Sequence, residues 1–295
     1  MRIPYDLVRD GLAAINQAQT RMADAQRLVS TGRRIGRAGD DPLGAQQAVG
    51  EHAILGATDA YSRSRESAAS RLSAADAVFS SIGDKLSSAI VSAMSARGTS
   101  VTPAARAAVA DAIAGLRDSL LSDFNTTFNG VAVFAGTSAT PAAYAQVSGA
   151  WTYQGNADNM QIEVDRGRLV RTTFDGRAIA QGADPADVFT VLDQLVAAIT
   201  AGDDTAIGAG IQGLERALDR TLRAHGRLGA DERGVEEAAL RLSTVRRAAE
   251  ARRSGLEDAN MAEAITRLSA SETSYKAALA AVSTVERQTL LDYLR

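Results

Sequence analysis

The chain has 295 residues, with 32 basic and 35 acidic side chains and a formal net charge of −3. That balance excludes a generally basic nucleic-acid-binding protein. The absence of cysteine excludes disulfides, cysteine-ligated metals and cysteine nucleophiles. Alanine, the best helix former, accounts for about a fifth of the residues, whereas aromatic residues make up only 4%. This composition predicts long helices.

The N-terminal residues do not resemble a secretory signal peptide. Arg2, Asp6, Arg9 and Asp10 interrupt any apolar stretch that such a signal would need. No segment approaches the roughly 18 apolar residues that span a bilayer. We therefore expect a protein that stays in the cytoplasm or leaves the cell without a cleaved signal.

An amphipathic helix is predicted at each end of the chain, because residues at alternating spacings of four and three form heptad patterns there. Polar residues interrupt both patterns at Gln19, Gln26 and Glu272. We expect these helices to be disordered in the monomer and to order on assembly. The predicted assembly interface consists of the apolar residues of the two patterns: Val8, Leu12, Ile15, Met22, Val29, Met261, Ile265, Leu268, Tyr275, Leu279 and Val282.

Turn signals separate the helices that follow. The first helix is predicted to end near Gly32, and the Asp41–Pro42 pair predicts a new helix start. That helix is predicted to extend from about Leu43 to Ala96, and the pattern leaves open whether it is interrupted. Its heptad positions are occupied by Leu72, Ala75, Phe79, Ile82, Leu86, Ala89 and Ala93. The Thr102–Pro103 pair starts a third helix, which continues to about Phe124.

The composition changes at Asn125, after which short strands are predicted at 131–136, 150–155, 160–164 and 168–174. Helices resume after Asp187, and the Ser254–Glu257 spacing predicts a capping box before the last one. The fold class is therefore mainly α, a long-helix bundle or coiled-coil rod with a small inserted antiparallel β domain. The predicted division is 1–42 with 255–295 (terminal assembly helices and connecting segment), 43–127 with 187–254 (helical rod) and 128–186 (β-rich domain).

No catalytic, cofactor or metal site is predicted. The two histidines, His52 and His225, are better explained as solvated or packed side chains than as catalytic groups. The paired aspartates at 40–41 and 203–204 are better explained as helix caps or loop residues than as cation ligands.

Other polar and aromatic residues also have a structural interpretation. Trp151 and Tyr153 are predicted to pack in the small β core. A set of arginines is predicted to form a solvated helix face that pairs with nearby glutamates. The arginines are Arg246, Arg247, Arg252 and Arg253, and the glutamates are Glu236, Glu237 and Glu250.

Two motifs resemble signatures of the flagellin superfamily. The segment RLVSTGRRIGRAGDDPLGAQQA is similar to its N-terminal pattern S-G-x-R-I-x-x-A-x-D-D-x-x-G, with Thr31 in place of the usual serine. The matching residues are Leu28, Gly32, Arg34, Ile35, Ala38, Asp40, Asp41 and Gly44. Near the other end, Leu256, Glu257, Asp258, Ala259 and Ala262 match the entry to the family's closing helix, where Asn260 replaces an aspartate.

Three segments resemble the family's hook–filament junction subunits more than its filament flagellins: FNGVAVFAGT, AWTYQGN and the terminal LLDYL. The resemblance implies a structural, non-enzymatic subunit of the bacterial flagellum, exported unfolded without a cleaved signal and located outside the cell. It further implies a ring at the hook tip, with the terminal helices as its inner layer and residues 31–42 as a spoke to the rod.

The implied partners are further copies of the chain, the first hook–filament junction protein, flagellin, and a cytoplasmic export chaperone that binds the C-terminal helix. Neither nucleic acid nor membrane insertion is implied. Two alternatives remain open: a filament flagellin, and a cytoplasmic helical signalling module, which the β insertion and the glycine-rich segment 32–42 disfavour.

Overall fold

The computed structural model describes the backbone of residues 5–293 and the side chains of residues 9–284. Its contacts divide the chain into two compact units. The terminal unit consists of Met1–Ala57 and Thr244–Arg295, and the central unit of Thr58–Ser243. The helices are α1 (Tyr5–Thr31), α2 (Pro42–Ser95), α3 (Pro103–Phe124), α4 (Gly176–Ala180), α5 (Val188–Ala201), α6 (Asp204–Glu257) and α7 (Met261–Tyr293). The three-part division of the chain stays a prediction.

Two predicted helix starts are confirmed by their caps, and one aspartate of the 203–204 pair is also a cap. The Thr102 hydroxyl accepts a hydrogen bond from the backbone N–H of Ala105, and Pro103 occupies the first turn of α3. Asp187 caps α5 by accepting from the N–H of Thr190 at 2.9 Å. Asp203 caps α6 in the same way. Each carboxylate or hydroxyl satisfies a backbone donor that the first helical turn leaves without a partner.

The core of the central unit lies along α2, which is one uninterrupted helix. All seven of its predicted heptad residues are buried: Leu72, Ala75, Phe79, Ile82, Leu86, Ala89 and Ala93. They pack in one apolar cluster with buried residues of α3, α5 and α6, such as Ile113, Leu195 and Leu214. The heptad spacing of the sequence therefore identified the face of α2 that this core buries.

Aromatic side chains connect the helices of the central unit to its β region. The Phe79 ring lies edge-to-face against Phe134 and Phe174, with centroids 5.2 and 5.1 Å apart. Phe189 of α5 contacts Tyr144 and Trp151. Edge-to-face pairs of this kind stabilise a core beyond the area that they bury. The prediction that Trp151 packs in the core is confirmed.

The β region consists of three separate antiparallel hairpins. Their strands are β1 (Thr127–Phe128) with β2 (Val131–Ala132), β3 (Tyr144–Val147) with β4 (Ala150–Tyr153), and β5 (Gln161–Asp165) with β6 (Arg168–Arg171). The pattern did not predict β1 or β3, and it extended β2, β4 and β6 too far. Asn129–Gly130 and Ser148–Gly149 have positive φ angles in two-residue turns. Such turns join adjacent strands into tight hairpins.

The predicted capping box at Ser254–Glu257 is wrong. Helix α6 continues through both residues to Glu257, and the Ser254 hydroxyl donates to the carboxylate of Asp258. Asn260 caps α7 instead, because its side-chain oxygen accepts from the N–H groups of Ala262 and Glu263. A serine three residues before a glutamate also occurs within helices. The backbone conformation is therefore needed to show which polar residue is the N-cap of a helix. No described helix is both long enough and apolar enough to cross a membrane.

Candidate assembly interface

Helices α1 and α7 of the terminal unit pack against each other. Most of the less exposed residues of α1, together with Gly32 beyond it, follow the spacing of a heptad, and Arg27 and Leu28 are half-buried outside this row. The residues of the row are Gly11, Ile15, Ala18, Met22, Ala25, Val29 and Gly32. The corresponding residues of α7 are Ala264, Leu268, Ser271, Tyr275, Ala278 and Val282. Every second member of each list is small, so the contact alternates small and large side chains along both helices.

The small residues let the two helices approach closely. A Cβ added at Gly11 would lie 2.9 Å from a methyl carbon of Val282, which leaves no room for a side chain. Ala18, Ala25 and Ala264 are buried. Since the distance between helix axes depends on the side chains at their contact, this row of glycine and alanine determines how the pair packs.

The structure divides the predicted interface residues into two groups. Six of the eleven lie at the contact between α1 and α7: Ile15, Met22, Val29, Leu268, Tyr275 and Val282. Four others are exposed, with relative accessibilities of 54% for Leu12, 41% for Met261, 53% for Ile265 and 42% for Leu279. We call these four residues the outer apolar set. The side chain of Val8 lies outside the described residues.

The sequence analysis missed Gly11, Ala18, Ala25 and Ala264 as contact residues. The pattern assigned the large or polar residues next to them, such as Leu12 and Gln19, to the helix contact. Those neighbours are exposed. A repeat of small residues seven positions apart was the signal that could have identified the true contact.

The segment between α1 and α2 is fastened to the end of α6 by hydrogen bonds. The N–H of Arg34 donates to the carbonyl of Glu257 at 2.6 Å, and the N–H of Ala259 donates to the carbonyl of Gly32 at 2.8 Å. The Arg34 guanidinium reaches both the carbonyl of Leu256 at 2.7 Å and the carboxylate of Asp41 at 3.1 Å. Residues from the two motifs therefore meet at one place in the terminal unit.

The two aspartates of the first motif bind the backbone. Asp40 accepts from the N–H groups of Gly36 and Arg37, at 3.0 and 2.8 Å. Asp41 caps α2 by accepting from the N–H of Gly44 at 2.9 Å. These backbone hydrogen bonds lower the pKa of both carboxyl groups, so both stay ionised at neutral pH. Asp41 is therefore a helix cap and Asp40 a loop residue that binds the backbone, which are the two structural roles predicted for this pair.

The second motif contributes a buried carboxylate. Glu257 is buried, and its Oε1 lies 2.8 Å from Nε2 of His52, a half-exposed residue of α2. Buried carboxylates need such a partner, because burial without one is costly. In the central unit, His225 lies 2.7 Å from Asp76 and stacks on Phe79. Both histidines therefore have structural partners, as the sequence indicated.

Among residues 9–284, the predicted pairing of the α6 arginines is confirmed for Arg246 and Glu250, whose side chains are 2.9 Å apart. Arg252 instead binds Glu51 through two hydrogen bonds of 2.7 and 3.0 Å, and this lowers the pKa of Glu51. Glu237 pairs with Arg168 of β6. The tertiary fold brings other charged groups closer than the neighbours one helical turn away.

None of these sites has the arrangement of a metal centre. Within the described residues, no three histidine, aspartate or glutamate side chains are grouped so that they could hold an ion. The geometry offers instead a helix pair with exposed apolar residues and a motif-bearing connection to α6. Such an arrangement is suited to association with other protein chains.

Comparisons with known proteins agree with that interpretation. The model of the bacterial flagellin N-terminal helical region matches residues 10–139, and that of the C-terminal helical region matches residues 211–294. Flagellar hook-associated protein 3 of Escherichia coli is 26% identical over 251 residues, which are 78% of this chain and 79% of that protein.

Solved structures have the same fold. A candidate flagellar hook-associated protein from Vibrio parahaemolyticus has a TM-score of 0.69 and 20% identity, and the match covers 74% of this chain and 100% of that one. The flagellar junction protein FlgL from Legionella pneumophila has a TM-score of 0.62 and 12% identity, with coverages of 72% and 100%.

Proposed function

Because this chain belongs to the bacterial flagellin family, we propose that it is the structural subunit that joins the hook of the flagellum to its filament. The curated relatives in E. coli and Salmonella typhimurium, at 26% and 25% identity, are both named flagellar hook-associated protein 3. Both matches extend over 78% of this chain, so they include its helical regions and not one shared motif alone.

The observation that carries the proposal is the outer apolar set of the terminal helices. Leu12, Met261, Ile265 and Leu279 are exposed on helices that already use one face to pack against each other. Burying an exposed leucine or isoleucine contributes about 1.5–3 kcal/mol, so repeated contacts between subunits gain from covering these residues. The proposed assembly is helical, with the terminal helices of neighbouring copies packed through this set.

The outer apolar set also supports the proposed route and partners. Before assembly, a cytoplasmic chaperone on α7 would cover Ile265 and Leu279, and export of an unfolded chain requires no cleaved signal. The lack of cysteine prevents crosslinks before export. After export, the chain would contact copies of itself, the first junction protein on the hook side and flagellin on the filament side. Its role is structural and not enzymatic.

The proposed roles of the two motifs follow from their contacts. Residues 31–42 act as the spoke between the terminal helices and the helical rod, and Arg34 holds that spoke to the end of α6. The terminal helices gain their full order on assembly, since the helix pair by itself leaves Leu12, Ile265 and Leu279 exposed.

Replacement of two outer residues tests the proposal. The double variant Ile265→Asp/Leu279→Asp is expected to remove junction assembly and motility, because each change places a charge in the proposed contact between subunits. Both residues are exposed, so the urea midpoint of the central unit is expected to stay the same. Ser274→Asp/Ala281→Asp on exposed positions of α7 is the matched control and should assemble.

The location is read from antibody–gold labelling of flagella in the electron microscope. A narrow band where the hook meets the filament supports the junction role. Label along the whole filament would identify a filament flagellin instead. Normal motility of the Ile265→Asp/Leu279→Asp variant would show that the outer apolar set is not an assembly contact.

A further inference from the structure

A basic groove lies within the terminal unit. It has a volume of about 800 Å³ and is lined by residues of α1, of the segment 32–41 and of α7. Its charged lining includes two aspartates, Asp24 and Asp40, and six arginines: Arg21, Arg27, Arg33, Arg34, Arg37 and Arg267. The chain as a whole carries a net charge of −3, so the charge of this groove is opposite in sign to that of the chain.

Half of these arginines have partners within the unit. Arg27 pairs with Asp24 at 3.0 Å, and Arg267 pairs with Glu263 at 2.6 Å. Arg34 is held by Asp41 and the carbonyl of Leu256. Among residues 9–284, the guanidinium groups of the other three make no hydrogen bond or ion pair, and all three residues are exposed: Arg21, Arg33 and Arg37.

The chemistry of the groove favours oxyanions, and on a protein surface these are carboxylates. A guanidinium group donates two parallel hydrogen bonds to a carboxylate, and several of them around one concavity raise the local concentration of anions. Six arginines outnumber the two aspartates of the lining, so the groove keeps an excess of positive charge although Asp40 is ionised. The groove therefore fits a protein surface that presents two or three carboxylates within one or two helical turns.

The central unit carries such a surface. The terminal unit has 15 basic and 13 acidic residues, whereas the central unit has 17 basic and 22 acidic ones. Glu232 and Glu236 lie one turn apart on α6, and neither has a hydrogen bond or ion pair among residues 9–284. Like charges at this spacing destabilise a helix. Burial, followed by the charges of Asp76 and Glu236, raises the pKa of Glu232.

We propose that the free arginines of the basic groove in one copy, Arg21, Arg33 and Arg37, bind the acidic face of a second copy formed by Asp76, Glu232 and Glu236. Such a contact joins two different surfaces, so it is heterologous and continues from copy to copy into a ring or a helix. It rests on the proposed function, which requires copies of this chain to assemble. It adds a second contact besides the outer apolar set.

Charge reversal on both surfaces tests the contact in the full chain. Arg21→Glu/Arg37→Glu and Glu232→Arg/Glu236→Arg are each expected to reduce the fraction of cells with filaments about tenfold or more, because like charges then face each other. The chain that carries all four changes is expected to recover to within about threefold of the wild type, since opposite charges meet again. Arg63→Glu/Arg247→Glu, two exposed arginines outside the groove, is the matched control and should assemble normally.

The outcomes of these experiments distinguish a failure of this contact from a failure of the proposed function. If gold label places the wild-type chain at the junction but the fourfold variant assembles no better than its parents, the contact is wrong and the junction role stands. If the wild-type chain is absent from flagella, the junction role itself fails. An unchanged urea midpoint in the variants excludes loss of folding as the cause.

A direct crosslink identifies the occupant of the groove. A photoreactive benzoylphenylalanine at the exposed position Ala38, next to Arg37, is expected to give a product of twice the chain mass on isolated flagella. The linked peptide should come from residues 225–240. A crosslink within one chain, or to a different flagellar protein, would overturn the assignment to a second copy.

Discussion

The two compact units of this chain bury their apolar residues to very different extents. In the central unit, the rings of Phe79, Phe124 and Phe189 are completely buried in one continuous cluster. Among residues 9–57 and 244–284 of the terminal unit, the buried hydrophobic residues are alanines, apart from Ile35, and Leu12 and Ile265 remain exposed. We therefore expect the central unit to be stable by itself and the terminal unit to need further surface from other chains.

The physical reason lies in side-chain size and helix number. Fully burying a leucine or phenylalanine contributes about 1.5–3 kcal/mol, and the central unit does so from several helices at once. A pair of helices covers only one face of each member, and small residues on that face contribute little area. The entropy of ordering the two helices then cancels most of the gain.

Hydrogen exchange should show the largest difference between the two units. In dilute monomer, the amides of residues 9–31 and 261–284 are expected to exchange about a thousandfold faster, or more, than those of Leu72–Leu86, which exchange only through global unfolding at a cost of about 5–15 kcal/mol. Mass spectrometry after deuterium labelling measures both in one sample. Equal protection in the monomer would contradict the proposal that the terminal helices order on assembly.

Truncation of a buried side chain tests how much the core stabilises the central unit. Phe79→Ala is expected to lower the free energy of unfolding by about 3–5 kcal/mol, because it leaves a cavity between Phe134 and Phe174. Urea denaturation followed by circular dichroism measures the change. Val91→Ala, on the exposed side of the same helix, should alter it by less than about 0.5 kcal/mol. A similar loss in both variants would mean that burial does not determine the stability of this unit.

A smaller effect is expected from overpacking the helix contact of the terminal unit. Ala18→Leu inserts a large side chain where α1 and α7 approach closely and should cost the assembled form about 1–3 kcal/mol. The measurement is the share of cells that carry filaments, with the urea midpoint of the central unit as the folding check. Ala13→Leu, the same replacement at an exposed position of α1, is the control. If Ala13→Leu impaired assembly and Ala18→Leu did not, the assigned contact face of α1 would be wrong.

Local sequence rules predicted much of the helical architecture. Thr102–Pro103, Asp187 and Asp41–Pro42 start helices because a side-chain acceptor next to the first turn satisfies free backbone donors. The α2 heptad identified a buried face because its large apolar residues all meet one core. The short hairpins were harder to predict, since β1 and β2 have two residues each and contain too few positions to show alternation.

The candidate site depended more on contacts between distant segments. Arg34 and Glu257 were found as parts of two motifs, but only the fold shows that the backbone of one residue binds the backbone of the other. Arg252 paired with Glu51 across 201 positions of sequence, and not with a glutamate on its own helix. Contacts between distant segments produce no repeated spacing in the sequence, so a pattern analysis does not detect them.

The sequence by itself determined that this chain forms long helices with amphipathic ends and a small β insertion, because spacing and capping act over a few residues. The tertiary structure decided which face of α1 and α7 is used between the two helices and which is left exposed. A heptad pattern marks two adjacent candidate rows, and the choice between Leu12 and Gly11 depends on how closely the partner helix approaches. That distance is a property of the pair, so neither helix sequence specifies it alone.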